Sequence, residues 1–357
     1  MSNSEKIRGK KVLAAMSGGV DSSLAAYLLM QEGYDVTGVT MCLGIIKEDE
    51  RVSCCGGDAA EDAKHVCAQL GIPHFMLDFS SLMEEQVIGK FTTEYLRGRT
   101  PNPCVDCNRY LKFGSLLQKA RALGFDYLAT GHYARIGYQG NRHRLLRPAD
   151  TLKDQTYFLY QIAADDLSRI LFPLGGLVKG KVRSLAAAAG LHVARKPESQ
   201  DICFTPGGDY SRVFTDRKIA VPEGDIVDRA GKVLGRHRGI IHYTVGQRGG
   251  LGISAKRPLY VLRLDAQKNR IVAGDKEELF STGLIAGDLN LLADVLPEEA
   301  QGKIRYRKKA ARCRLSKEGN KLKVFFEEPQ EAITPGQSFV FYSGDEVLGG
   351  GVIEEAL

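Results

Sequence analysis

The first third of the chain alternates between two kinds of apolar pattern. Lys11-Val12-Leu13-Ala14-Ala15-Met16 is a short apolar run that predicts a buried strand, and Leu24 to Gln31 has the spacing of a helix ending at Gly33. Asp35 to Met41 reads as a second strand, Ala59 to Leu70 as a helix ending at Gly71, Pro73 to Phe79 as a third strand and Leu82 to Leu96 as another helix. Phe125 to Ala129 is a fourth strand, opening into Thr130-Gly131-His132-Tyr133. This alternation predicts an α/β fold on a doubly wound parallel sheet, with ligands at the carboxyl ends of the strands. After Gly207 the texture changes. Asp228-Arg229-Ala230-Gly231-Lys232 and Asp265-Ala266-Gln267-Lys268-Asn269-Arg270 look like turns between short alternating strands. From about Gly287 another all-β section runs on, with Leu322 to Phe326 and Ser338 to Tyr342 as strands. The expected organisation is an α/β domain over 1–206, a small β domain over 207–284 and a second over 285–357.

Bulk properties change this picture little. Among 357 residues, 49 Lys or Arg face 43 Asp or Glu, a net charge of +6 that permits a nucleic-acid partner without requiring one. Met1 to Lys10 is polar, and Val12 to Met16 is too short for a signal-peptide core or a membrane span, so a cytoplasmic protein with no membrane partner is expected. In that compartment eight cysteines suggest catalysis, metal binding or simple burial before structural disulfides.

Between the first strand and its helix lies Ser17-Gly18-Gly19-Val20-Asp21-Ser22-Ser23. Strand, glycine turn and helix bring backbone N–H groups and the positive helix end onto a phosphate, and the serines add hydroxyl donors. The alternative is a tight turn with no ligand. No lysine follows the glycines, so this is not the lysine-bearing phosphate loop. Asp21 would repel phosphates unless Mg²⁺ lay between them. The stretch resembles the SGGxDS loop of the pyrophosphate-loop ATPases, which cut ATP between the α- and β-phosphates and adenylate an oxygen of their substrate. Met41 could pack on a nucleobase or serve in the core.

Pro101-Asn102-Pro103-Cys104-Val105-Asp106-Cys107-Asn108 holds two cysteines three apart in a proline-stiffened segment. Spacing alone leaves open a redox pair, half a metal site, or a nucleophile with an assistant. Gln301 to Arg314 has seven Lys or Arg and no acid. Such a strip could neutralise several phosphates, or be an ordinary solvated strand face.

Several further motifs occur in one order: Gly98-Arg99-Thr100-Pro101-Asn102-Pro103, Cys107-Asn108, Lys112-Phe113, Ala129-Thr130-Gly131-His132-Tyr133, Lys153-Asp154-Gln155-Thr156-Tyr157-Phe158-Leu159, Asp201-Ile202-Cys203-Phe204, Tyr243-Thr244-Val245-Gly246-Gln247-Arg248 and Pro335-Gly336-Gln337. With Ser17 to Ser23 they make nearly the whole chain resemble the tRNA-specific 2-thiouridylases. The resemblance implies an adenine-nucleotide α-hydrolase-like sheet followed by two β domains, the last a β-barrel contacting tRNA. It implies ATP- and Mg²⁺-dependent thiolation at C2 of the wobble uridine in tRNAs for lysine, glutamate and glutamine. The sulfur would come as a persulfide from a cysteine desulfurase or sulfur-relay protein. ATP would sit on Ala15, Met16, Ser17, Gly18, Gly19, Val20, Asp21, Ser22, Met41 and Gly131. Cys203 would receive the persulfide and Cys107 would attack it or resolve it, leaving a transient Cys107–Cys203 disulfide. tRNA would meet Asn102, Pro103, Cys104, His132, Lys153, Asp154, Gln155, Arg305, Tyr306 and Gln337. Two competing readings are a pyrophosphate-loop adenylating enzyme with a small-molecule acceptor and a catalytically silent tRNA-binding protein.

At one position the chain departs from that family, whose pattern has an aspartate where Cys104 stands. Either Cys104 works as a thiol, as proton acceptor or extra resolving cysteine, or Cys104, Cys107 and Cys203 hold a [4Fe-4S] iron–sulfur cluster by three thiolates with one iron open to sulfide. Cys54 and Cys55 could relay sulfur, supply a ligand or do nothing. Cys42 and Cys67 fall in core patterns, and Cys313 lies in the basic strip with no evident partner for thiol chemistry.

Overall fold

The computed structural model describes residues 8–45, 57–198 and 202–357; Cys54, Cys55 and Asp201 lie outside them. The chain forms two compact units, one drawn from Met1–Val87, Cys104–Cys203 and Asp345–Val347, the other from Ile88–Pro103, Phe204–Gly344 and Leu348–Leu357.

In the first unit the apolar runs form strands β1 (Lys11–Ala15), β2 (Asp35–Cys42), β3 (His74–Asp78) and β4 (Tyr127–Ala129), then a hairpin of β5 (Arg135–Gln139) and β6 (Arg142–Leu146), and β7 (Ile170–Leu171). Five of them make a parallel sheet in the order β3-β2-β1-β4-β7. The order reverses direction between β1 and β4, so the loops after these two strands open side by side, at the place where such sheets bind ligands. Helices α1 (Val20–Gln31), α2 (Gly57–Leu70) and α3 (Lys179–Ala188) contribute to the core around Val12, Leu24, Val66 and Val182, all 0% exposed. Full burial of such side chains stabilises the fold by about 2 kcal/mol each.

Two helices differ from their sequence patterns. α1 begins at Val20 rather than Leu24 because Gly19 is extended (φ −104°, ψ 164°) and the chain turns helical at once, bringing Asp21 into the first turn. The expected helix from Leu82 to Leu96 is three pieces, Ser80–Met83, a π-helical turn Glu84–Ile88 and Gly89–Leu96. A second π-helical stretch, Cys107–Leu116, follows the short helix Pro103–Asp106.

The second unit contains a four-stranded sheet of β8 (Gly224–Val227), β9 (Val233–His237), β10 (Tyr260–Asp265) and β11 (Arg270–Gly274), in the order β10-β11-β8-β9. Ile226, Val261, Ile271 and Ala273 fill its core. Then come β12 (Phe280–Leu291), β13 (Glu299–Lys303), β14 (Ala311–Glu318), β15 (Lys321–Glu331), β16 (Ser338–Ser343) and β17 (Glu346–Ala356). They run β12-β15-β14-β13-β16-β17, and pairing of β12 with β17 closes a six-stranded barrel. Alternation decides the lining: Leu322, Val324 and Phe326 of β15 point inward with Phe339 and Phe341. Gln301 to Arg314 is therefore not one strand face; it spans the end of β13, a turn and the start of β14. The segment Ile88–Pro103 belongs here through its aromatics, with Phe91 5.2 Å from Phe204 and Tyr95 stacked 4.9 Å from Tyr210. Among the described residues no helix is long and apolar enough to cross a membrane.

Candidate active site

The loop after β1 is held open by its own hydroxyls. Ser17 N–H donates to Ser22 Oγ at 3.1 Å, and Ser22 and Ser23 hydroxyls donate to the Gly19 carbonyl at 3.2 and 2.8 Å. No side chain caps the start of α1, leaving that helix end to the loop. Gly18 has φ +68°, and a Cβ there would lie 2.1 Å from the Ala59 carbonyl oxygen at the start of α2, so only glycine fits. Gly131, after β4, is pressed on the same loop: a Cβ would come within 2.7 Å of Ser22 N. Ala15 to Ser22 and Gly131 thus come together, and half-buried Met41 sits near the carboxyl end of neighbouring β2.

Cations missing from the loop itself arrive from far along the chain. Lys179 Nζ, on the first residue of α3, lies 2.8 Å from both Asp21 carboxylate oxygens and 2.8 Å from Glu198 Oε1. Tyr133 O–H donates to Asp21 at 2.9 Å. Lys153 Nζ donates to Glu198 at 2.7 Å, and the hydrogen bonds of Lys153 and Lys179 draw the Glu198 carboxyl down to about 2. Lys196 Nζ donates to the Gly18 carbonyl at 3.1 Å and to Asp62, whose carboxyl it holds below its usual range. Sequence reasoning missed Lys179, Lys196, Glu198 and Asp62; each lies in an ordinary polar stretch with no local signal.

Cys104, Cys107 and Cys203 are not disulfide-bonded; Cys104 and Cys203 are exposed and Cys107 is half-buried. Solvent reaches Cys203, yet crowding by protein on its other sides pushes its thiol up to about 12, with Cys107 and Cys104 adding to the rise and Lys112 opposing it. Cys104 is likewise raised, first by burial and then by Cys107 and Asp106, against the pull of Lys112. Cys104 and Cys203 therefore both feel Cys107 and the same cation, Lys112. Asn108 steadies that cation: its Nδ2 donates to the Phe158 carbonyl and its Oδ1 accepts from Lys112 Nζ, both at 3.0 Å. Among the described residues no three His, Cys, Asp or Glu are arranged to hold a metal ion.

The other cysteines divide differently. Cys67 is buried and pushed up to about 11, as a core residue should be. Cys42 is buried too, as its core pattern predicts, and is disulfide-bonded. Cys313 is buried and donates a hydrogen bond to the Ala300 carbonyl at 3.5 Å.

The candidate tRNA residues occupy both units. In the first, His132 lies between Phe113 and Phe172 at 5.9 and 6.0 Å, its Nδ1 2.7 Å from Thr130 Oγ1; burial, then Lys112, holds it well below the usual histidine range and so neutral. Asp154 accepts from Thr156 N–H at 2.9 Å, and Gln155 Oε1 accepts from Tyr133 N–H at 2.8 Å. Tyr133 O–H reaches Asp21 and Lys153 Nζ reaches Glu198, so these groups stand beside the loop after β1. In the second unit, Gln337 Nε2 donates to the Thr100 carbonyl at 2.8 Å while Thr100 N–H donates to the Pro335 carbonyl at 2.9 Å, so the loop carrying Asn102 and Pro103 is laced to Pro335-Gly336-Gln337. Arg305 is committed internally, to the carbonyls of Val245 at 2.9 Å and Ala332 at 3.2 Å and to Thr334. Tyr306 has the Lys303 ammonium 5.6 Å from its ring centre. Arg307, Lys309, Arg312 and Arg314 are the exposed cations of the basic stretch.

Three family models tile the chain: a tRNA methyl transferase HUP domain over residues 10–207, a tRNA methyl transferase PRC-barrel domain over 212–275 and an aminomethyltransferase beta-barrel domain over 281–353. The chain is similar to tRNA-specific 2-thiouridylase MnmA 1 of Syntrophus aciditrophicus, at 54% identity over 353 residues covering 99% of this chain and 95% of that one. It is 51% identical over 359 residues to tRNA-specific 2-thiouridylase MnmA of Carboxydothermus hydrogenoformans, covering 98% of each. Among solved structures, U34-tRNA thiolase NcsA from Methanococcus maripaludis covers 60% of this chain and 72% of its own at 19% identity and a TM-score of 0.36, a likeness too remote to carry an argument.

Proposed function

The chain belongs to the tRNA-specific 2-thiouridylase family, and from that membership we propose that it uses ATP to replace the C2 oxygen of a tRNA wobble uridine with sulfur, in tRNAs for lysine, glutamate and glutamine. Ala15 to Ser22 and Gly131 bind the phosphates, Met41 packs on the base, and Asp21 would hold Mg²⁺, which would offset the phosphate charge. The C2 oxygen attacks the α-phosphorus, the α–β bond breaks and pyrophosphate leaves with the electron pair. A cysteine desulfurase or relay protein loads Cys203 as a persulfide. Its terminal sulfur attacks C2, and the C2–O bond breaks to release AMP. The Cys107 thiolate then attacks Cys203 Sγ; the S–S bond breaks towards the uridine, leaving 2-thiouridine and a Cys107–Cys203 disulfide. An external dithiol returns both cysteines to thiols. Cysteine suits both roles because its thiolate is a strong nucleophile and a good leaving group for sulfur.

The observation that supports this reading most is that Cys107, remote in sequence, adds to the rise of the Cys203 thiol, with Lys112 opposing it. Mass spectrometry of tRNA nucleosides after incubation with ATP, Mg²⁺ and a persulfide donor is the test. Thiouridine that disappears in Cys203→Ala supports it; turnover of ATP with a small amine acceptor and no RNA would replace it.

A second reading rests on the third thiol. Cys104, Cys107 and Cys203 would hold a [4Fe-4S] cluster whose open iron presents sulfide. As placed, the three do not form a ligand group. Iron and acid-labile sulfide after anaerobic purification decide between the two; their absence after reconstitution leaves bare-thiol chemistry.

A further inference from the structure

Cys107, Asn108, Lys112 and Phe113 share one stretch, Cys107–Leu116, and its register is π-helical. The difference from an α-helix matters most for residues five apart. In an α-helix such residues point about 140° away from each other; where hydrogen bonds run five residues back, they lie nearly above one another. Leu117 N–H, at the end of the stretch, reaches the Lys112 carbonyl in a bond of that kind. Cys107 and Lys112 are five apart, so the π register brings thiol and ammonium to one side of the helix.

One residue permits that register. A Cβ on Gly114 would lie 2.7 Å from the carbonyl oxygen of Arg109, five residues earlier, closer than a side chain tolerates. A second residue uses it. Buried Asn108 accepts from Lys112 Nζ at 3.0 Å and donates to the Phe158 carbonyl at 3.0 Å, so the ammonium is held by a side chain that is itself fixed. On the next residue, the Phe113 ring packs 5.9 Å from that of His132 and 6.0 Å from that of Phe172, which sets the turn of the helix about its axis. The charge of Lys112 also acts on Cys104 and Cys203, opposing the rise of each thiol.

We propose that this π-helical stretch is the positioning device of the sulfur-transfer site, with Gly114 and Asn108 as its positioning residues and Lys112 as the cation it delivers. Sulfur transfer moves a negative charge among Cys203, the uridine and Cys107, and a fixed ammonium on the Cys107 side offsets that charge without reorganising. Alanine in place of Gly114 drives the stretch towards the α register and swings Lys112 round the axis, away from Cys107. The proposal rests on Cys107 and Cys203 being the sulfur-carrying pair, as proposed above.

Steady-state thiolation by the full chain, with ATP, Mg²⁺, tRNA and a persulfide donor, tests it as a double-mutant cycle. Lys112→Ala and Gly114→Ala each lower kcat by about tenfold or more, with KM for ATP and for tRNA within about twofold of wild type. The double variant falls no more than about twofold below Lys112→Ala, because Gly114 acts through the lysine. An unchanged kcat in Gly114→Ala overturns the proposal. So does a double variant that shows the product of the two losses, about a hundredfold, which marks a glycine that merely holds the fold. Should Gly114→Ala not fold, Asn108→Ala takes its place in the same cycle and is read by the same two outcomes. A wild-type chain that makes no thiouridine overturns the functional reading and the proposal with it; an active wild type with unmoved variants overturns the proposal alone.

Discussion

The side-chain amide of Gln337 donates to the backbone carbonyl of Thr100 at 2.8 Å, across 237 residues of chain. With the return bond from Thr100 N–H to the Pro335 carbonyl, it fixes the loop that leads into Asn102, Pro103 and Cys104. Gln337→Ala should cost about 1 kcal/mol of stability and lower tRNA thiolation several-fold while leaving ATP binding unchanged. Gly336→Ala should be worse. Its φ of +92° suits only glycine, and a Cβ would lie 2.8 Å from Thr100 N, so a loss of about 1–3 kcal/mol is expected in urea melts.

Lys112 lowers the thiols of both Cys104 and Cys203 against the rise that burial imposes. Removing that cation raises both further. Lys112→Ala should slow alkylation of the two cysteines by iodoacetamide at pH 8, by roughly threefold or more, with peptide mass spectrometry as readout. Asn108→Ala, which loses the acceptor that steadies Lys112, should give a smaller change in the same direction.

Arg307 and Lys309 are exposed in the turn between β13 and β14, whereas Arg305 is tied to Val245, Ala332 and Thr334. Arg307→Ala and Lys309→Ala should each weaken tRNA binding and reduce the salt slope by about 0.7–0.9, read by filter binding across salt concentrations. Arg305→Ala should instead lower the melting temperature, because it strips a shared donor from three acceptors.

Two groups set opposite ends of the acid response. Glu198 falls from 4.5 to about 2 through Lys153 and Lys179, so its stabilisation is complete above about 4.5 and fades as pH drops towards 2. His132 is held well below 6.5, so the unfolded chain binds a proton that the folded one refuses, and stability falls as pH drops through 6.5. Denaturant titrations should show Glu198→Gln flattening the lower limb and His132→Gln the upper one.

What could be read in the sequence was local. The apolar run ending at Met16, the glycines after it and the helix behind them announce a strand, a turn and a helix start, because each depends on neighbours along the chain. Lys179 and Asp21 meet across 158 residues, and neither has a periodic or turn-forming context that predicts the meeting. The π-helical stretch Cys107–Leu116 was equally hidden, since its apolar spacing differs too little from that of an α-helix to show in ten residues. Alternation along Leu322 to Phe326 marked a strand; that β12 would find β17 and close a ring is a matter of pairing, which alternation does not encode.

The segment Ile88–Pro103 is grouped with residues that follow Cys203, although it interrupts the stretch that builds the parallel sheet. No single cut of the polypeptide therefore yields both units whole. A truncation ending near Cys203 would retain Phe91 and Tyr95 without Phe204, Tyr210 and Phe214, their aromatic neighbours, and the complementary fragment would lack its share of that cluster. An N-terminal piece is thus expected to be sticky and poorly behaved for reasons unrelated to nucleotide binding. Splitting this protein for reconstitution, fusion or expression calls for breakpoints that respect a chain contributing three separate segments to each unit.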